Sequence, residues 1–93
     1  MDHKILVHKP EDSVGVAIAG INAGEKVVGI ITDNGYKLEV ESISEIPFGH
    51  KIALKPIAQG ERVVIYGWSC GYASQPITCG EHVHTHNFKS ARW

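Results

Sequence analysis

The segment IAQGERV, at residues 57–63, has the form I-x-x-G-E-x-V, and the same form occurs twice more in the chain. The other copies are INAGEKV at residues 21–27 and ITCGEHV at residues 77–83. In each copy we expect the isoleucine to anchor in the core, the glycine to adopt a positive φ in a tight turn, and the valine to begin a strand. The copies start 36 and 20 residues apart, and this unequal spacing excludes a solenoid. The pattern predicts one turn device used three times in a compact β domain.

Short apolar and β-branched runs separated by turn residues predict the remaining strands. The expected strands are residues 4–8, 26–32, 37–43, 52–54, 62–66 and 82–87. Asn34-Gly35 is the strongest short hairpin signal in the chain, and Gly67 and Gly71 are expected to bracket another turn. A chain of this kind builds its core from sheets.

One segment near the N-terminus has helical spacing. Asp12 or Ser13 is suited to cap a helix there, and Gly24 is suited to end it in a left-handed conformation. The apolar positions with this spacing are Val14, Ala17, Ile18 and Ile21. Gly15 and Gly20 each weaken a helix by ~1 kcal/mol relative to alanine, so it should be short and held by packing. The expected fold class is mainly β with one short N-terminal helix.

Composition limits the class of protein. The chain has 93 residues, with 9 Lys and Arg against 10 Asp and Glu, which favours one small domain over residues 1–93 with a core at about 5–88 and a loose tail at 89–93. The formal charge of −1 argues against nucleic-acid binding. No apolar run approaches the ~20 residues of a membrane helix, and no signal peptide is evident, so we expect a cytoplasmic protein. Cys70 and Cys79 are expected to be free thiols packed as small hydrophobes.

Three of the six histidines lie in the segment GEHVHTHN, residues 80–87. In a strand, alternate side chains share a face, so His82, His84 and His86 would point the same way. Neighbouring members would have Cα atoms ~6.5–7 Å apart, and two such imidazoles can reach one metal ion. His82 and His86 would be ~13 Å apart, so a third ligand must come from elsewhere. Within this chain the candidate is His50.

More ordinary interpretations stay open for the same residues. Such histidines also occur at the edge of a core, paired with carbonyls and carboxylates. Lys51, beside His50, carries charge for an anionic ligand but also suits a solvated strand edge. Tyr66, Trp68 and Tyr72 favour half-buried packing or a subunit contact over a ligand pocket. With no P-loop, G-x-G-x-x-G, paired-carboxylate motif or Ser/His/Asp order, the chain is poorly equipped as a stand-alone enzyme.

Longer blocks of the sequence resemble a known family. The blocks are VHxxEDSVxVA at 7–17, IPFGHKIAL at 46–54, IxxGExVxIYG at 57–67, GxA at 71–73 and IxxGExVHxHN at 77–87. Together they resemble the N-terminal domain of the altronate dehydratase / galactarate dehydratase family, a member of the SAF superfamily. The resemblance covers about residues 5–88 and implies a small SAF-type β-clip.

The resemblance also implies a function, that of a subunit of a sugar-acid hydro-lyase. Such enzymes remove water from a polyhydroxy acid to give a 2-keto-3-deoxy acid with a divalent metal, usually iron or manganese, and related members act on sulfolactate. It implies that His84 and His86 act as catalytic residues or metal ligands, and His50 as a metal ligand or substrate contact. Lys51 and Asn87 would bind the substrate. No role is carried over to His82 or Cys79.

The family commonly fuses this module to a much larger catalytic domain. Because this chain ends shortly after residue 87, we expect a separate large dehydratase subunit that holds most of the catalytic residues and most of the metal contacts. The isolated chain should then have little activity, and a homo-oligomer is compatible with the sequence. Two other functions fit the same residues: a non-catalytic ligand-binding or assembly module of the SAF superfamily, and a metal-sequestering or pH-responsive interaction domain.

Overall fold

The computed structural model describes residues 3–90, and all regular secondary structure in that part of the chain is β-strand. The strands are β1 (Ile5–Val7), β2 (Val14–Ala17), β3 (Lys26–Ile31), β4 (Lys37–Glu41), β5 (Lys51–Ala53), β6 (Arg62–Ile65), β7 (Trp68–Ala73), β8 (His82–Val83) and β9 (Phe88–Ser90). Six form one sheet in the order β4-β3-β1-β2-β5-β8, and three form a second sheet in the order β6-β7-β9. The mainly β class is confirmed. No helix within residues 3–90 has the length and hydropathy needed to cross a membrane.

The expected N-terminal helix is wrong, because that segment forms β2. This strand pairs antiparallel with both β1 and β5, so it lies inside the large sheet. Val14, Gly15 and Ala17 are all buried, and a short apolar run covered on both faces has no alternation to distinguish it from a helix. A Cβ at Gly15 would lie 2.5 Å from Cγ2 of Ile5, so the close approach of β1 requires glycine there.

Asp12 caps a hairpin tip instead of a helix. Tyr66 and Gly67, which join β6 to β7, have φ values of 57° and 76°, as a two-residue type I′ turn requires. Both of their amides donate to the Asp12 carboxylate at 2.9 Å, and the Lys9 amide donates to it at 3.2 Å. Asp12 is only 3% exposed, so backbone amides take the place of water around its charge. Gly71, expected to close the turn, lies inside β7.

Four corners share the predicted turn geometry, one more than the motif indicated. The fourth is IPFGHK at residues 46–51, which keeps the isoleucine and the glycine but has a histidine where the other copies have glutamate. The corner glycines all have positive φ: Gly24 84°, Gly49 84°, Gly60 85° and Gly80 87°. The corner isoleucines form two isolated bridges, Ile21 with Ile46 and Ile57 with Ile77. The corners therefore brace one another in two pairs.

In three corners a glutamate closes the turn. The carboxylates of Glu25, Glu61 and Glu81 each accept a hydrogen bond from the backbone amide three residues earlier, at 2.9, 2.8 and 2.8 Å. In the fourth corner the equivalent residue is Pro47, which has no amide N–H to satisfy. His50 keeps the backbone contact, with its N–H donating to the Pro47 carbonyl at 3.0 Å, and its side chain is not needed to close the turn.

The buried side chains form two clusters that meet at β5. One cluster includes Ile5, Ile21, Ile46 and Ile52, and the other includes Val14, Ala53, Ile57, Val63, Ile77 and Val83. Adjacent residues of β5, Ile52 and Ala53, thus pack into different clusters, as alternation along a strand requires. Because β8 pairs with β5 at the edge of the large sheet, it takes its position from this core.

The remaining predictions differ from the structure mainly at the C-terminal end. The strands expected at 4–8, 26–32, 37–43, 52–54 and 62–66 correspond to β1, β3, β4, β5 and β6, whereas the one expected at 82–87 is only β8. The loose tail expected from residue 89 is wrong for Lys89 and Ser90, which belong to β9 and pair with β7. The rest of that tail, residues 91–93, lies outside the described residues.

Replacing Gly80 with alanine should destabilise the fold far more than replacing Gly24. Both have positive φ, but a Cβ at Gly80 would lie 2.1 Å from the Glu41 carbonyl oxygen, whereas at Gly24 it would meet nothing within 4 Å. We expect Gly24→Ala to lower the free energy of unfolding by ~1–2 kcal/mol and Gly80→Ala to lower it by more than ~3 kcal/mol. Urea unfolding measures both, and equal losses would contradict the close crossing at Gly80.

Replacing Asp12 with alanine should also destabilise the chain, because three backbone amides lose a charged acceptor. We expect a loss of about 2–4 kcal/mol in the free energy of unfolding. The exposed neighbour Glu11 provides the matched control, and Glu11→Ala should change stability by less than ~0.5 kcal/mol. Comparable losses in the two variants would show that Asp12 does not hold the hairpin tip.

Candidate functional site

Three imidazoles converge at the β8 edge of the large sheet. The ligand nitrogens of His50, His82 and His84 all lie within 4.8 Å of one another. His50 Nδ1 is 2.8 Å from His82 Nε2, and the His50 and His84 rings stack with centroids 4.2 Å apart. His50 and His82 are partly buried and His84 is exposed, so the cluster opens to solvent on one side.

The fold brings His50 and His82 together from distant parts of the chain. His50 is the fifth residue of the corner at 46–51 and immediately precedes β5. His82 begins β8 opposite Ile52 of β5. The His82 amide also donates to the Ser44 hydroxyl at 3.3 Å. The pairing of β5 with β8 therefore sets the distance between the two rings.

His84 and His86 lie in a turn and not on a strand. β8 ends at Val83, and the amides of Asn87 and Phe88 both donate to the His84 carbonyl, at 3.1 and 2.9 Å. The turn places the His84 ring over His50 and leaves His86 exposed, with its ring centroid 5.4 Å from that of His82. The strand expected over residues 82–87 is wrong beyond Val83, yet the three rings still lie near one another, with the His82 centroid 5.5 Å from that of His84 and 5.4 Å from that of His86. The cluster contains His50 and His84 as expected, but its third member is His82.

The environment of His82 favours a neutral ring. Burial lowers the pKa of His82, the neighbouring charges of His50, His86 and His84 lower it further, and Glu81 opposes them. Neutral imidazole is the form that binds metal ions. At neutral pH His82 is therefore ready to act as a ligand without first losing a proton.

The three histidines suit a divalent transition metal. Imidazole nitrogens bind iron, zinc and related ions at about 2.0–2.1 Å, which places nitrogens on one ion roughly 3–3.5 Å apart. The spacing of the cluster nitrogens, with a maximum of 4.8 Å, needs only small side-chain rotations to reach that range. Three ligands from the chain leave further coordination positions for a substrate or for a residue of a partner.

Comparison of the sequence with known proteins identifies a family. The family model described as altronate/galactarate dehydratase SAF domain matches residues 3–91 of the chain. The chain belongs to that family.

Two kinds of relative share this SAF domain. The (2R)-sulfolactate sulfo-lyase subunit alpha of Chromohalobacter salexigens is 39% identical over 94 aligned positions, which cover 100% of both chains. The (2R)-sulfolactate sulfo-lyase subunit alpha of Paracoccus pantotrophus is 36% identical over 64 residues, which are 69% of this chain and 96% of that one. The altronate dehydratase of Bacillus subtilis is 40% identical over 86 residues, which are 92% of this chain but 16% of that enzyme. The SAF domain thus matches a lyase subunit of its own size and a small part of a longer dehydratase.

The other expected site residues of the SAF domain lie elsewhere. Asn87 is completely buried, and its amide contacts the backbone on either side of Val83 and the Glu81 carboxylate, so no atom of it is open to substrate. Lys51 pairs with Val83, whereas Ile52 pairs with His82. The Lys51 and His82 side chains therefore point to opposite faces of the sheet. It lines a cavity of about 340 Å³ beside Cys70. The structure does not bring these two side chains into the histidine cluster.

The cysteines of the SAF domain are free thiols without the surroundings of a nucleophile. Burial raises the pKa of Cys70, with Lys51 opposing it, and its thiol donates to the Val63 carbonyl at 3.4 Å. The Cys79 thiol donates to the Leu54 carbonyl at 3.3 Å. A reactive cysteine needs a stabilised thiolate, which burial in this environment disfavours at Cys70.

The lowered pKa of His82 gives a prediction for metal-free protein. The unfolded chain takes up a proton at His82 near pH ~6.5, whereas the folded chain does so only at lower pH, so the unfolded state binds more protons in between. Stability should therefore be full above pH ~6.5 and decrease as the pH falls through the lowered pKa. Urea midpoints measured from pH 7.5 to pH 5 should decrease less in His82→Asn than in wild type. An unchanged slope would contradict the prediction.

Proposed function

We propose that this chain is the small subunit of a lyase that eliminates a substituent from the carbon next to the hydroxyl-bearing carbon of a 2-hydroxy acid. The observation that carries the proposal is the His50, His82 and His84 cluster, open on one side, in a chain that belongs to a dehydratase domain family. The names of its relatives, sulfo-lyase subunit alpha and altronate dehydratase, support the reaction class. In our primary proposal the leaving group is water and the substrate a sugar acid.

The reaction needs a base, a proton donor and stabilisation of the negative charge that develops on the substrate. A base removes the proton from the carbon next to the carboxylate, the electron pair of that C–H bond forms a C=C bond, and the adjacent C–O bond breaks with its electron pair on oxygen. The leaving hydroxide takes up a proton and departs as water. The resulting enol then becomes the 2-keto acid by moving its hydroxyl proton to carbon.

The residues of this chain have distinct roles in the proposal. His50, His82 and His84 would hold a divalent metal, iron or manganese, and such an ion polarises the carboxylate and the 2-hydroxyl group and stabilises the negative charge that develops on them. In the proposal His86, which is exposed at the rim with its ring centroid 5.4 Å from that of His82, would donate the proton to the leaving group. The base is assigned to the partner chain.

The open side of the cluster is where the large subunit contributes. His84, Thr85 and His86 are exposed, and a polypeptide that covers them would exclude water and complete the coordination. Relatives named as a subunit alpha support a separate partner, and the longer dehydratase supports a partner region joined covalently. In both arrangements the chain provides one wall of a shared site.

A second substrate class is favoured by the end-to-end similarity to a sulfo-lyase subunit. In sulfolactate the substituent is a sulfonate, so the C–S bond breaks, sulfite leaves with the electron pair, and the same enol intermediate gives pyruvate. The proton removal and the charge on the substrate are the same for both leaving groups. The cluster would therefore serve either reaction, and the partner would decide between them.

Activity of the reconstituted complex tests the proposal. The chain and its large lyase subunit are purified together and incubated with altronate, galactarate or sulfolactate, and the 2-keto acid and sulfite are measured. We expect little turnover from either chain alone and a loss of about 100-fold or more in kcat for His84→Ala in the complex. His8→Ala, a histidine beside Thr32 and Tyr66 outside the cluster, is the control and should keep wild-type activity.

Three outcomes separate this function from its alternatives. Unchanged turnover in His84→Ala would leave the chain as a non-catalytic assembly or ligand-binding module. Metal binding without any effect on turnover would favour a metal-sequestering domain. Release of sulfite with no dehydration would favour the sulfo-lyase over the sugar-acid dehydratase.

A further inference from the structure

The side-chain amide of Asn87 hydrogen-bonds to the backbone of both His82 and His84. Its Oδ1 accepts a hydrogen bond from the His84 amide at 3.0 Å, and its Nδ2 donates to the His82 carbonyl at 2.9 Å. The same Nδ2 donates to Glu81 Oε2 at 3.3 Å. With 0% of the side chain exposed, no water competes for these contacts.

Glu81 connects this amide to the corner before it. Its Oε1 accepts from the Thr78 amide, as in every corner that has a glutamate, while its Oε2 accepts from Asn87. Glu61 closes its own corner through the Ala58 amide and is exposed. The two glutamates therefore do the same work in the fold, but Glu81 also orients the Asn87 amide.

We propose that Asn87 and Glu81 are positioning residues that hold His82 and His84 at ligand distance from His50. The inference rests on the proposed function and deepens it, because it names the groups that preorganise the cluster. Residues 84–86 are exposed, so core packing does not fix their conformation. Displacements of about 0.5 Å at such sites already weaken binding, so a turn that must present an imidazole needs internal hydrogen bonds of this kind.

Only a side-chain amide supplies both the acceptor and the donor that these contacts require. Asn87 must accept from the His84 N–H and donate to the His82 carbonyl and to Glu81. Aspartate keeps the shape and the acceptor, but it loses the donor and places a second carboxylate beside Glu81. Asn87→Asp should therefore leave the shape of the buried side chain unchanged while releasing the turn.

A glutamate-to-glutamine pair separates positioning from folding. Glutamine at position 81 has one oxygen for two donors, the Thr78 amide and Asn87, so one of these contacts is lost. Glutamine at position 61 has one oxygen for one donor, the Ala58 amide, and keeps its corner. Glu61→Gln is thus the matched control for Glu81→Gln.

The test measures binding of Co²⁺ alone to the full chain, by its visible absorption, together with hydrogen exchange of the His84 amide. We expect Glu81→Gln and Asn87→Asp to weaken Co²⁺ binding by about 10–100-fold. Both should accelerate exchange of the His84 amide, because each variant removes a contact that holds the side chain at position 87 in place as the acceptor of that amide. Glu61→Gln should match wild type in both measurements.

Each outcome decides a different statement. If all variants bind Co²⁺ as tightly as wild type, the positioning role is overturned and the proposed function stays intact. No Co²⁺ binding by wild type removes the metal from the proposed function, and the exchange measurement then decides the inference alone. In that case, equal protection of the His84 amide in Glu81→Gln and Glu61→Gln overturns it.

Discussion

A glycine with positive φ, three residues after a buried isoleucine, sets the direction of the chain at four corners. At each corner the glycine amide donates to a carbonyl of a neighbouring segment at 2.7–2.8 Å, Gly49 to Ala17 and Gly80 to Ala53 among them. Side chains other than hydrogen strongly disfavour this backbone conformation, so the corners depend on glycine. His50 lies one residue beyond Gly49, and His82 lies two residues beyond Gly80. The distance between the two histidines therefore follows from the corners and the β5–β8 pairing.

Most of the strands and corners could be predicted from local pattern. The I-x-x-G-E-x-V motif places three corners, and the β-branched runs place the larger strands. The motif alone missed the fourth corner, because a histidine stands in the position of the glutamate, which Pro47 makes unnecessary. β2 was predicted as a helix because it is covered on both faces, which removes the alternation that identifies a strand. β7 was missed because Gly71 within it and Gly67 just before it resemble turn residues, although a Cβ at Gly71 would lie 2.1 Å from the Lys89 carbonyl oxygen.

The candidate site was predicted less completely, since its geometry depends on a turn that the sequence pattern does not reveal. Alternation treats residues 82–87 as one strand, whereas Asn87 closes a turn after Val83 and redirects the side chains. Through this turn His84 joins His50, and His86 moves to the rim. His50 was predicted as the further ligand because the strand spacing prevents His82, His84 and His86 from all reaching one ion. His82 was set aside, although its place at the start of β8, directly after a corner, is the signal that would have retained it.

The proline of the fourth corner has an implication for how such a scaffold acquires new chemistry. Proline at the second position of the corner has no N–H, so the residue at the fifth position no longer has to accept a hydrogen bond from it. The side chain at the fifth position can then change without loss of the turn. The corner at residues 57–63 has the same backbone contact and a glutamate that is exposed, so the paired replacement Ala58→Pro with Glu61→His would present an imidazole there without rebuilding the sheet. The architecture therefore offers protein engineers a corner position whose chemistry can change while the backbone stays the same, as the histidine at position 50 illustrates.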